Sequence, residues 1–335
     1  MTPAQRQRIR QILPLLGTVL LLGLFFGTTD RAKLMQALAM ANLGQFFAVI
    51  LITTVVTWLY DSFCLVWLVR VTLGHRGKPE GATLREIAPV KAASYLLNVV
   101  NYHAANLAMG WLIGRRKGVP FLEAGAALAT LSWLDLVTVT GMAVIGLWLA
   151  PEVLGNAGSL QIWLQIVAGC VFGSAFALML LLQSPLQISW LQRLRQLAPI
   201  RPLVRLGPWQ MLQGLALRSG LIAAYTIAAV LVMRSFGMAP QWGKMFVCLP
   251  VLTVVGTIPI SVSGLGTTQA LMRTLYAPFV IDGRAATPVI DAYSSAQIVG
   301  YIVLRLLLAM PFLRKISQEL RQRPTSESAL PSDPV

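Results

Sequence analysis

Apolar residues run along this chain in long blocks separated by short polar and basic stretches, and most blocks are 16 to 29 residues long. A helix needs about 20 apolar residues to cross a bilayer core of about 30 Å. Residues 12–27, 44–69, 121–149, 161–183, 211–233 and 289–312 fit that length and predict about six membrane-crossing helices. Two further apolar stretches do not fit. Residues 245–281 carry Pro250, Gly256, Pro259 and the run Ser261-Val262-Ser263-Gly264-Leu265-Gly266 at their centre. Residues 88–113 are interrupted by Asn98, Asn101, His103 and Asn106. Unpaired backbone groups in hydrocarbon cost several kcal/mol each, so broken backbone persists at membrane depth only inside protein or beside a watery cavity. Both stretches therefore predict a helix, a break and a second helix.

Charge assigns the sides. Arg6, Arg8 and Arg10 precede the first block, and Arg314, Lys315, Arg321 and Arg323 follow the last, so the positive-inside rule places both termini in the cytoplasm. Residues 88–113 have basic flanks on both sides and read as a re-entrant hairpin from within. Counting 245–281 as a full crossing would put the basic end of the chain outside, so it reads as a second hairpin, entering from without. Of the 27 Lys and Arg, only Arg31, Lys33, Arg234, Lys244 and Arg284 fall in the proposed outer segments. The predicted fold is an all-α polytopic membrane protein with two oppositely oriented re-entrant hairpins in an inverted-repeat layout. Residues 1–323 form one membrane domain: the first span, a first repeat at 44–149, a linking span at 161–183, a basic interfacial linker at 184–210 and a second repeat at 211–312. A disordered tail follows at 324–335. In that linker Trp190 and Trp209 are expected to anchor at headgroup level, with Arg193, Arg195, Arg201 and Arg205 beside them. Inverted repeats with matching broken segments characterise many secondary transporters, whose site lies where the breaks meet.

Composition excludes other classes. The chain has 335 residues, 56% hydrophobic and 12% charged, which no soluble domain of this length resembles. A formal charge of +15 would suggest nucleic acid in a soluble protein; here it serves topology and contact with anionic lipid. Cys64, Cys170 and Cys248 are neither closely spaced nor even in number, and packing is their default role. With two His and no metal-binding spacing, no metal or cofactor is expected, and no nucleophile elbow or nucleotide loop points to an enzyme.

The candidate site residues are polar groups at membrane depth. Asp135 lies too far from either end of its span for a short side chain to reach water, so it faces a cavity or a partner. It serves either transport or structure, bonded to Ser132, Thr138 or a neighbouring helix. Asp61 lies nearer the inner end of its span. Arg273, one turn beyond Gln269, either binds phosphate or reaches outward. Arg305 lies about 12 Å from the inner end of its span at 1.5 Å per residue, which calls for an acidic partner or a lipid phosphate. Arg218 is read as reaching back to its nearby inner end. Ser261, Ser263, Gly264 and Gly266 place hydroxyls and a helix amino terminus where an anion can bind. Asn98, Asn101 and His103 line the first hairpin.

These motifs resemble the transmembrane family of lysylphosphatidylglycerol synthase, also described as flippase-like. The shared features are the Asn-containing broken segment (Asn98, Asn101), the tract GRRKGVPFLEAGAAL, then Leu134-Asp135, and later Pro259-Ile260-Ser261-Val262-Ser263-Gly264-Leu265-Gly266. The chain departs from the pattern at Gln269, where the family often has Glu, at Ser263, at Ser132-Trp133 and at His103-Ala104-Ala105. The resemblance implies lipid translocation in a bacterial inner membrane, without the soluble aminoacyl-transfer domain of larger members. The expected ligand is an anionic or isoprenoid-linked lipid, and a lipid-modifying enzyme is a possible partner. The rival readings are a small-solute or ion transporter on the same layout, and a non-transporting membrane partner of such an enzyme.

Overall fold

The computed structural model describes residues 31–73, 81–98, 102–150, 158–184, 188–197, 199–257, 267–281 and 285–322. Twelve α-helices occupy them: α1 Arg31–Ala39, α2 Leu43–Leu73, α3 Leu84–Asn98, α4 Tyr102–Lys117, α5 Phe121–Leu149, α6 Gly158–Gln183, α7 Ser189–Gln196, α8 Arg201–Arg205, α9 Pro208–Ser235, α10 Trp242–Thr257, α11 Thr267–Tyr276 and α12 Ala286–Gln322. The only extended pairing among the described residues is an isolated bridge between Met238 and Val280. Five helices are long and apolar enough to cross a membrane: α2, α5, α9, residues 162–183 of α6 and residues 286–313 of α12. They coincide with five of the expected spans. The sixth, residues 12–27, and the tail from 324 lie outside the described residues.

These helices are apolar all round, as helices in lipid must be. Phe47, Leu51, Ile52, Phe63, Ile162, Trp163 and Phe176 point outward on α2 and α6, where hydrocarbon rather than water suits them. Several span hydroxyls are satisfied locally. Thr57, Thr72, Thr130, Thr138 and Thr226 each donate to the carbonyl four residues back.

Both broken stretches form helix pairs. The pair α3–α4 is closed at its basic end by Glu86. Its carboxylate accepts from the Thr83 N–H at 3.1 Å, capping α3, and from Lys117 Nζ at 2.7 Å. The Lys117 bond holds the Glu86 carboxyl below its ordinary range. Arg116 adds a bond to the Glu86 carbonyl at 2.7 Å. Gly118 and Gly237 end α4 and α9 with positive φ of 64° and 67°. In each case the next N–H returns to the carbonyl five residues earlier, Val119 to Gly114 and Met238 to Met233.

The packing is reciprocal. The helix α3 lies against α12, and α10 lies against α5. The first arm of each broken pair therefore packs on the last long helix of the opposite half, while α2 and α9 pack on each other. Two apolar cores result. One gathers Leu65 to Leu73 of α2 with Ile87, Val90, Met109, Ile113, Ala127, Leu128 and Leu131. The other joins Phe46 and Ile50 of α2 with Val139, Ala143, Ile222 to Met233, and the buried faces of α10, α11 and the start of α12.

The linker corrects one expectation. Trp190 and Trp209 are exposed as headgroup anchors would be, but three of its arginines bind protein, Arg201 locally through the Gln196 carbonyl at 2.8 Å and two at longer range. Arg195 caps the end of α6 through the carbonyls of Leu181 and Ser184, at 3.1 and 2.5 Å. Arg205 reaches the Thr72 carbonyl and pairs at 2.9 Å with Glu123, whose side chain is buried. Free carbonyls at the α6 terminus and a buried carboxylate outcompete water and headgroups for these two cations.

Because the left-handed region costs a Cβ-bearing residue about 1–2 kcal/mol, Gly237→Ala is expected to lower the thermal unfolding midpoint by a few degrees in detergent without changing helix content by circular dichroism.

Candidate functional site

The polar layer between the two cores is the candidate site. Asp61 lies on α2 between the residues of one core and those of the other; Asp135 does the same on α5, and Arg218 precedes the second core on α9. The structure brings all three together. Arg218 donates through Nη1 to Asp61 Oδ1 at 2.7 Å and through Nε to Asp135 Oδ1. Lys91, on α3, completes the group with Nζ at 2.5 Å from Asp61 Oδ2. Two carboxylates and two cations thus form a neutral quartet drawn from four helices.

The local sequence explains how α9 comes close enough. Gly214 and Gly220 flank Arg218. A Cβ at Gly214 would meet Trp67 at 2.8 Å and Leu134 at 2.9 Å, and one at Gly220 would overlap the Tyr60 hydroxyl. Their absence lets α2 and α5 close on α9, and the Tyr60 hydroxyl then donates to the Leu217 carbonyl at 3.0 Å. Trp58 joins α2 to α3 by donating at 2.9 Å to the Ala88 carbonyl, next to Pro89.

Exposure grades the quartet. The side chains of Arg218 and Asp61 retain 7% and 11% of their surface, whereas Asp135 retains 26%. Asp135 is the most exposed of the four.

The predicted site residues divide. Asp135 is in the quartet; its partner is Arg218 rather than Ser132 or Thr138, whose hydroxyls donate to Leu128 and Leu134 carbonyls. The reading of Arg218 as a snorkelling residue is overturned, because two carboxylates hold it inside. Arg305 stacks on two tyrosines, its Cζ 5.1 Å from the Tyr95 ring and 5.4 Å from the Tyr301 ring. Arg273, expected to meet phosphate or reach outward, grips Asp291 of α12 through Nε and Nη2 at 2.8 and 2.7 Å. That pair ties α11 to α12 away from the quartet. Gln269 is half-buried on α11 and Asn98 half-buried at the end of α3. Asn106 bonds Ser132 at 3.3 Å, joining α4 to α5. Asn101, Ser261, Ser263, Gly264 and Gly266 lie outside the described residues, as does the side chain of His103.

Lys91 was missed. It lies within the stretch read as the first hairpin, and the packing of α3 on α2 brings it to Asp61. Among the described residues no group of His, Cys, Asp and Glu could hold a metal ion. Cys64 and Cys248 are buried free thiols, and Cys170 is exposed. A shallow apolar hollow lies between Trp133, Leu178, Leu182, Gln183, Leu203 and Met211, and no quartet residue lines it.

A membrane bundle carrying a charged quartet between two apolar cores fits the family that the motifs resemble, and comparison decides it. Residues 11–304 match the model of the lysylphosphatidylglycerol synthase TM region. The chain belongs to that family. It is thereby a multi-pass membrane protein of a family associated with lipid modification or flipping. No curated protein and no solved structure matches it. Arg305 lies one residue beyond the matched range.

Removing one partner of a buried ion pair costs about 3–5 kcal/mol, while an exposed pair contributes about 0–1 kcal/mol. Asp61→Asn is therefore expected to lower the unfolding midpoint far more than Asp291→Asn. Equal effects of the two, read by thermal unfolding in detergent, would show that the quartet carries no more of the fold than the exposed pair.

Proposed function

We propose that this protein moves an anionic or isoprenoid-linked lipid between the leaflets of a bacterial inner membrane. In this reading the pairs α3–α4 and α10–α11 are re-entrant hairpins of opposite orientation. The segments α2–α5 and α9–α12 are inverted repeats joined by α6 and the 184–210 linker, with both chain termini cytoplasmic. The reciprocal packing of each hairpin's first arm on the other repeat's last helix supports this layout. Such repeats rock against each other around a fixed midplane site.

The observation that carries the function is the quartet at the contact between the repeats, with Arg218 from one repeat shared by Asp61 and Asp135 of the other. Moving a phosphate headgroup through hydrocarbon requires replacement of its water by charges and dipoles. The quartet supplies these at mid-depth, while acyl or isoprenoid tails stay in the surrounding lipid. Because Arg218 has two partners, it can loosen one carboxylate without becoming an isolated buried charge. The protein has a translocating role in this reading and no catalytic one. Its partners are membrane lipids, together with the enzyme that makes or modifies the translocated lipid.

The test is reconstitution of the full chain into vesicles carrying fluorescent phospholipid, with a reductant that quenches only the outer leaflet. Wild-type protein is expected to expose inner-leaflet lipid faster than empty vesicles, and Arg218→Met to lose most of that gain. Lipid movement equal to that of empty vesicles across lipid classes and ion gradients would sink the proposal. Uptake of a water-soluble solute without lipid movement would favour the small-solute or ion transporter instead.

A further inference from the structure

Arg305 stands apart from the quartet in one respect: no carboxylate among the described residues pairs with it. The four charges of Asp61, Asp135, Lys91 and Arg218 balance, and Arg305 adds a third cation to two carboxylates. Neither a carboxylate at ion-pair distance nor a protein acceptor within hydrogen-bond reach serves it among the described residues. It is nonetheless part of the same layer. Tyr95 has Arg305 Cζ at 5.1 Å and Lys91 Nζ at 5.9 Å from its ring centroid. Tyr225 of α9 and Asp61 also act on the Arg305 guanidinium electrostatically.

The geometry leaves a defined chemistry free. Tyrosine rings engage the faces of a guanidinium, and such contacts are worth about 0.5–2 kcal/mol. They do not consume its in-plane N–H groups, which form a fork suited to two oxygens of a phosphate or carboxylate. An arginine on a membrane-crossing helix with that fork unused lacks one negative charge. Phosphate, with paired oxygens and a single charge as a phosphodiester, supplies both. A zwitterionic headgroup brings a cation of its own into a layer already in positive excess.

We propose that Arg305, held by Tyr95 and Tyr301 and backed by Lys91, binds one phosphate-bearing monoanion, the phosphodiester of an anionic lipid or free phosphate itself. This deepens the translocase reading and rests on it for the lipid source, while the binding chemistry stands independently of transport. The site then prefers anionic over zwitterionic phospholipid, and Arg305 sets that preference.

The experiment is equilibrium binding to the purified full chain in phosphatidylcholine nanodiscs, titrated with short-chain phosphatidylglycerol, short-chain phosphatidylcholine or inorganic phosphate. Phosphatidylglycerol is expected to bind about tenfold or more tightly than phosphatidylcholine, the factor associated with one charge-assisted hydrogen bond. Arg305→Gln should erase that preference, Arg305→Lys should keep part of it, and Arg193→Gln on the interfacial helix should leave it intact. Asp135→Asn enlarges the positive excess and should bind phosphatidylglycerol at least as tightly as wild type, an arm that does not depend on the Arg305 variants folding. Equal binding of the two lipids, an unchanged preference in Arg305→Gln, or weaker binding in Asp135→Asn would overturn the site. Competition by inorganic phosphate as strong as by phosphatidylglycerol would uphold the site with the free anion as its ligand and remove this support for lipid transport. Binding that follows these expectations without lipid movement in vesicles would uphold the site and overturn translocation.

Discussion

The guanidinium of Arg218, shared between Asp61 and Asp135, is the contact on which the rest of the bundle depends. In a low-dielectric interior neither carboxylate can stay charged without a cation beside it, and Arg218 cannot lose both acids. One side chain of α9 therefore fixes the positions of α2 and α5, and Lys91 extends the constraint to α3. The apolar cores on either side supply cohesion with little directional preference. The quartet supplies register, because a shift of one turn along α9 would strand Arg218 and Asp135 and leave Asp61 with Lys91 alone.

The same need to satisfy polar groups shapes the broken helices. Pro89 and Pro250 lie inside α3 and α10, and each of these arms leans on the long helix of the opposite half. Protein thus covers one side of each arm, as the proposed re-entrant layout requires where a helix breaks off at membrane depth. The ends are closed by charge where they are accessible: Glu86 with Lys117 at the α3–α4 pair, and Arg273 with Asp291 at the junction of α11 and α12. These pairs are more exposed than the Arg218–Asp61 pair of the quartet and contribute less.

Basic residues in the chain do three different jobs, and their surroundings decide which. Arg195 and Arg205 satisfy carbonyls and a buried carboxylate that the linker would otherwise leave bare. Arg218 and Lys91 neutralise acids inside the bundle. Arg305, against two tyrosine rings, has no acceptor for its donors among the described residues, and in the site proposed for it a phosphate takes that place. A charge total of +15 cannot distinguish these roles, because each is defined by what lies across the helix contact.

The spans were legible from the one-dimensional pattern, since hydrocarbon demands about 20 apolar residues whatever the neighbours are. Asp135 was legible for the same reason: a carboxylate in mid-span needs a partner. The division of each short apolar stretch into two helices was visible as polar and proline interruptions in the sequence, and the family followed from the short motifs around them. The identity of Asp135's partner was not legible. Arg218 lies within reach of its own helix end, and sequence distance alone favours snorkelling; only the close approach allowed by Gly214 and Gly220 turns it inward. Lys91 passes unremarked within the first hairpin until the packing of α3 on α2 delivers it to Asp61, and Arg273 reads as a phosphate ligand or an outward-reaching residue until α12 presents Asp291. Sequence by itself determined which residues must leave water and which of them would need a partner, because transfer cost is a property of each side chain. Tertiary structure alone decided which charges meet, because ion pairing depends on distances between helices that lie far apart in the chain.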